Sequence, residues 1–194
     1  MDWDVFWLWL DRVGIVLGVL TGSTWVIGLS RAFLKPDVIR GWFSRNRFPH
    51  IGSSRIENVG AIVFTVSNPD VPEWVMQQLK PKAVAFIATA QSRDSAERLV
   101  KSAERRGIQA LRPIILADPD NPAESRDQAA ALLVELADHG RLGVDVTGGK
   151  TPMSLGAFMA AEEFGAKTLY VTCPYLHGRL DLRSAKIACI SQPT

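Results

Sequence analysis

The residues best suited to chemistry in this sequence are Thr147-Gly148-Gly149-Lys150-Thr151-Pro152. Two adjacent glycines let a backbone approach a ligand closely, and a lysine beside them supplies positive charge for a phosphate. Threonine suits a helix cap and proline the first helical turn. A strand-to-helix turn able to hold an anion follows, and a plain tight turn with a solvated lysine is the simpler reading of the same residues. Two other loops carry hydroxyls and amides: Ser67-Asn68-Pro69-Asp70 and Thr89-Ala90-Gln91-Ser92. Their side chains can bond a polar ligand or close their own turns. A P-loop is excluded, because GxxxxGK[ST] needs a glycine five residues before Gly149, where Val144 stands. GxGxxG, GxSxG and HExxH are also missing. His50, His139 and His177 are scattered, and Cys173 and Cys189 form no CxxC. Neither a metal site, a disulfide framework nor a catalytic constellation is indicated.

The elements that position these loops alternate from Gly60 onward. AIVFTV, AVAFIAT, ALRPIILA, LGVDVT and TLYVTC read as short apolar strands. Between them VPEWVMQQLK, SAERLVKSAERRG, ESRDQAAALLVELADHG and TPMSLGAFMAAEEFG read as helices. AKIACI adds one strand in the tail. Strands alternating with helices predict right-handed crossovers and a mainly parallel sheet covered on both faces, a Rossmann-like α/β domain. In such sheets ligands bind where strand-to-helix loops meet at the carboxyl ends of the strands. All three polar loops fall there.

Length and charge bound the rest. At 194 residues, with 22 Lys+Arg against 20 Asp+Glu, the chain has room for one domain plus an appendage and is not a globally basic nucleic-acid binder. Residues 13–30 carry no charge, with ten apolar residues, four glycines and four hydroxyl residues. Eighteen helical residues rise about 27 Å, close to the hydrocarbon thickness of a bilayer. Residues 31–55 carry a net +5 after this run, against −2 over residues 1–12. That asymmetry predicts a single-pass inner-membrane anchor with its N-terminus outside and its C-terminal domain cytoplasmic. A signal peptide would place its basic end first, and a buried core helix is the other competitor.

Three segments are therefore expected: a transmembrane helix with flanks over 1–34, a basic juxtamembrane linker over 35–57 and a cytoplasmic domain over 58–194. Gly14, Gly18 and Gly22 recur on one helical face and admit a neighbouring helix, while Thr21, Ser23 and Thr24 either line a polar path or bond within their own helix. The linker suits anionic headgroups, and direct DNA binding is not expected.

VDVTGGKTPMSLGAFMAAEEFGAKTLYV resembles the signature of CARF domains, the CRISPR-associated Rossmann-fold sensors. FIATAQSRDSAERLV and FTVSNPDVPEWVMQQLKP are similar to the loops after their second and first strands. The order Gly149-Lys150-Thr151 departs from the TGGTK frequent in the family. The resemblance covers roughly residues 58–190 and implies a homodimer, or a dimer of dimers, that binds a cyclic oligoadenylate second messenger. Cyclic tetra-adenylate is the implied ligand, with no metal or other cofactor. It implies ligand contacts at Ser67, Asn68, Thr89, Ala90, Gln91, Ser92, Thr147, Gly148, Gly149, Lys150, Thr151 and Met153. With the apolar helix in front, the arrangement resembles a type III CRISPR membrane effector whose sensor gates an oligomeric pore and depolarises the cell. That function needs no catalysis. A membrane-tethered ring nuclease and a non-conducting nucleotide receptor are the alternatives.

Overall fold

The computed structural model describes residues 59–176 and 179–191, together with Trp3, Ser23 and Ile56. The chain divides into two compact units, Met1–Arg45 and Asn46–Thr194. In the first, Trp3 and Ser23 are helical and exposed. Residues 13–30 apart from Ser23, and so Gly14, Gly18, Thr21, Gly22 and Thr24, lie outside the described residues, as does the linker apart from Ile56. Among the described residues no helix is long and apolar enough to cross a membrane.

The second unit is built on β1 (Ala61–Val66) and β2 (Ala83–Ala88), every residue of which is buried. Unbroken apolar runs of this kind belong to strands covered on both faces. β1 is followed by helix α1 (Asp70–Leu79) and β2 by α2 (Arg93–Arg105). Ile62, Phe64, Val84 and Phe86 point to this pair of helices, with the rings of Phe64 and Phe86 stacked at 5.6 Å. Helix α3 (Pro122–Glu135) precedes β5 (Leu142–Asp145), and α4 (Thr151–Phe164) joins β5 to β6 (Lys167–Thr172). These two helices cover the opposite face through Ala129, Leu133, Met153, Ala157 and Ala160 against Val63, Ala85 and Val144. Small residues on α4 let it lie close to its neighbours.

The predicted strand over ALRPIILA is two short strands, β3 (Gln109–Ala110) and β4 (Ile114–Ile115), both beside β2. Pro113 lacks an N–H and interrupts the ladder between them. The expected last strand is present as β9 (Lys186–Ser191), antiparallel to β6. Sequence reading did not expect the small hairpin of β7 (Tyr175–Leu176) and β8 (Arg179–Leu180) before it. The order across the sheet is β3-β2-β1-β5-β6-β9. The chain steps outward from β1 through β2 to β3 and β4, then crosses back to lay β5 on the other side of β1. The topological switch point, where such folds bind ligands, therefore lies between the carboxyl ends of β1 and β5.

Candidate functional site

The glycine loop sits at that switch point, pressed against the end of β1. A Cβ on Gly148 would stand 2.7 Å from the Thr65 carbonyl oxygen, and one on Gly149 2.8 Å from the Thr65 Cβ. Side chains are excluded from both positions, so the loop presents backbone. Thr147 anchors it twice. Its N–H donates to Asp145 Oδ1 at 3.0 Å, and its hydroxyl accepts the Val171 N–H at 2.8 Å. Ser154 donates from one turn into α4 to the Val146 carbonyl at 2.9 Å, and Thr65 donates to the Asp145 carbonyl at 3.2 Å. The loop is thus fixed from both ends before any ligand arrives.

The helix after it begins without a side-chain cap. The N-cap position is Lys150, not Thr151 as expected, and it makes no capping bond. Thr151 is instead the first helical residue, exposed. An uncovered first turn, with its positive dipole end, is suited to an anion when a glycine loop and a lysine stand beside it. Lys150 is half-exposed, and its Nζ pairs with Asp120 at 3.1 Å.

The loops after β1 and β2 are tied together by Ser92. Its buried hydroxyl donates to the Val66 carbonyl at 2.8 Å and accepts the Thr89 N–H at 3.0 Å, while Thr89 Oγ1 accepts the Ser92 N–H at 3.2 Å. This reciprocal capping box opens the short 3-10 turn Ala90–Ser92 that leads into α2. Ser92 is therefore a structural knot whose hydroxyl faces protein rather than the cleft. Ser92→Ala leaves the Val66 carbonyl and the Thr89 N–H without their partner. We expect a loss of about 1–2 kcal/mol in stability, read by urea unfolding.

The remaining expected residues divide in the same way. Asn68 Oδ1 accepts the Asp70 N–H at 2.8 Å and closes a local turn at the start of α1. Met153 is fully buried in the core under α4, because the turn carrying it faces the sheet along with Ala157 and Ala160. Ser67, Ala90 and Gln91 are exposed in their loops. The structure thus brings Ser67, the backbone of Gly148 and Gly149, and Lys150 around the switch point, and turns Ser92 and Met153 inward.

Two acidic residues escaped the sequence reading. Asp145 is fully buried, with Oδ2 unpartnered, and burial pushes its carboxyl up to about 6. An acid within the apolar strand LGVD was the available signal. Asp120 lies in the loop before α3, and its pairing with Lys150 has no sequence signature. A groove of about 890 Å³ between α1 and α2 is lined by Asp70, Glu73 and Glu104 against Arg98, Lys101 and Arg105. Its balanced charge makes it a poor anion site. Among the described residues no three His, Cys, Asp or Glu side chains group to hold a metal ion.

No protein-family model and no curated protein matches the sequence. Solved structures do. A type III CRISPR defence DNA nuclease activated by cyclic oligoadenylate is 19% identical, with a TM-score of 0.53 over 71% of this chain and 22% of that one. Csm6 of Enterococcus italicus, bound to cyclic hexa-2'-fluoro-hexa-dAMP, is 15% identical, with a TM-score of 0.51 over 63% of this chain and 36% of that one. Can2 from Sulfobacillus thermosulfidooxidans, in complex with cyclic tetra-adenylate, is 16% identical, with a TM-score of 0.50 over 68% and 37%. The chain spans well under half the length of each. What it shares with them is the fold, a Rossmann-like α/β unit with a mostly parallel sheet.

Proposed function

We propose that the chain is a CARF-type sensor of type III CRISPR defence that binds a cyclic oligoadenylate, cyclic tetra-adenylate first among them. The observation that carries this is the glycine loop at the switch point. Its two glycines admit no side chain and are half-buried, the first turn of α4 is uncapped and the exposed Lys150 stands beside it. Adenylate phosphates suit such a loop. The three solved structures support the choice of ligand through their fold and the activators or ligands named for them. A second copy of the chain is part of the reading. Leu155 and Met159, one helical turn apart on α4, are 54% and 45% exposed and form an apolar strip for it to cover.

The uncharged run over residues 13–30 and the basic stretch after it support a membrane effector, in which the sensor biases an oligomeric pore. Ligand can do so only by binding two states of the assembly unequally.

Calorimetric titration of the full chain in lipid nanodiscs tests the sensor, with cyclic hexa-adenylate, ATP and NAD as comparators. One cyclic tetra-adenylate per two chains is expected, and Lys150→Ala weakens it about tenfold or more, the worth of a charge-assisted bond. Binding of ATP or NAD alone sinks the reading. Appearance of linear adenylate products that vanish in Lys150→Ala would replace the sensor with a ring nuclease. For the pore, ligand-dependent loss of membrane potential, abolished by Gly18→Leu, is the expected result. Unchanged potential in ligand-exposed cells removes it.

A further inference from the structure

The lysine at the lip of the glycine loop already has a counter-ion. Both carboxylate oxygens of Asp120 lie against Lys150 Nζ, at 3.1 and 3.3 Å. The pair joins residues thirty positions apart, and three features of the fold bring them together. Glu124 accepts the N–H groups of Ala117 and Asp118, each at 2.8 Å, and Asp118 accepts the Asp120 N–H at 3.1 Å, so the loop before α3 has a set course. Asn121 caps α3 through the Ala123 N–H. The starts of α3 and α4 are then clamped, with Ser125 donating to the Met153 carbonyl at 2.8 Å and Gly156 against the Pro122 carbonyl.

We propose that Asp120 is a positioning residue for Lys150 that an incoming anion must displace. The carboxylate holds the ammonium beside the uncapped turn of α4, and it occupies the charge that a phosphate would use. Binding is then an exchange of one anion for another on Lys150. Asp120 lowers affinity, makes it less sensitive to salt and disfavours ligands too weakly charged to compete. The inference rests on the anion-binding reading of this loop and adds a regulator to it.

The test uses the full chain in nanodiscs, with cyclic tetra-adenylate and inorganic pyrophosphate as separate probes. Asp120→Asn keeps the shape and removes the charge, and it should tighten binding about two- to fivefold, the range an exposed ion pair supplies. Affinity should also fall more steeply with added salt, because the released ammonium is screened by ions instead of by Asp120. In a Lys150→Ala background the same substitution should tighten binding less, because only the direct repulsion between Asp120 and the anion is then relieved. Asp118→Asn removes a charge from the same loop without touching Lys150, and it should change affinity less. Unchanged or weaker binding in Asp120→Asn, equal tightening in the Lys150→Ala background, or an equal effect from Asp118→Asn each overturns the proposal. If cyclic tetra-adenylate fails to bind while pyrophosphate shows the full pattern, the ligand assignment falls and Asp120 keeps its role. If neither probe binds the parent chain or Asp120→Asn, the positioning role falls as well.

Discussion

Gly156→Ala should lower the stability of the domain by about 2 kcal/mol, although alanine is the better helix former. In an exposed helix the change would gain about 1 kcal/mol. Here a Cβ would stand 2.2 Å from the Pro122 carbonyl oxygen, 2.8 Å from the Arg126 nitrogen and 2.9 Å from the Ser125 Cβ. Two of those three atoms are backbone, so no rotamer change relieves the contact, and α3 must move off α4. Overpacking of this kind costs about 1–3 kcal/mol and sometimes more, and a backbone clash belongs at the high end. Urea unfolding of the unit Asn46–Thr194 measures it, with a midpoint shift at unchanged slope as the expected form. Stability equal to or above the parent would mean that the two helices are not held at this spacing. The displacement also reaches the site. Ser125 bonds to Met153 across the same contact, Lys150 immediately precedes α4, and Asp120 stands two residues before the start of α3. Separating the helices therefore loosens the ion pair at the loop as well as the core.

That dependence explains how much of this molecule was legible in its sequence. The strands β1, β2 and β6 and the helices α1 to α4 are where periodicity places them, because an apolar run flanked by turn residues leaves little choice. The glycine loop was legible for the same kind of reason, since its function as a turn is local. Pro113 was visible but its consequence was not, because ALRPIILA reads as one strand until the ladder to β2 is drawn. The hairpin of β7 and β8 is too short to have a period. Ser92 and Met153 stand in site loops by sequence, yet which way each points is set by the phase of the helix that follows it. Burial of Met153 requires knowing that α4 lies on the sheet through Ala157 and Ala160. Asp120 is harder still, because its partner is supplied by the approach of α3 and α4 at Gly156, a tertiary fact. Asp145 was passed over inside a strand whose coverage on both faces only the assembled layers provide.

Asp145 carries the second large prediction. Its carboxyl is fully buried at the end of β5, with one oxygen on the Thr147 N–H and the other unpartnered. Burial dominates and raises it from 3.8 to about 6, while the Thr147 bonds pull the other way. A folded-state value above the unfolded one means that the fold prefers the neutral acid. The contribution to stability is then present in full below pH 3.8 and is lost as pH rises through about 6. A shift of this size corresponds to about 3 kcal/mol. Asp145→Asn keeps an acceptor for Thr147 and removes the ionisation. The difference in unfolding free energy between variant and parent, followed from pH 4 to pH 8, should therefore change by about 2–3 kcal/mol in favour of the variant. Parallel profiles would show that the carboxylate is compensated at high pH. The direction matters at the site, because Thr147 links this carboxyl to the glycine loop and to Val171 on β6. Above pH 6 the loop rests on a charge that the core resists, so the energy that fixes its backbone and the energy that destabilises the sheet come from the same residue.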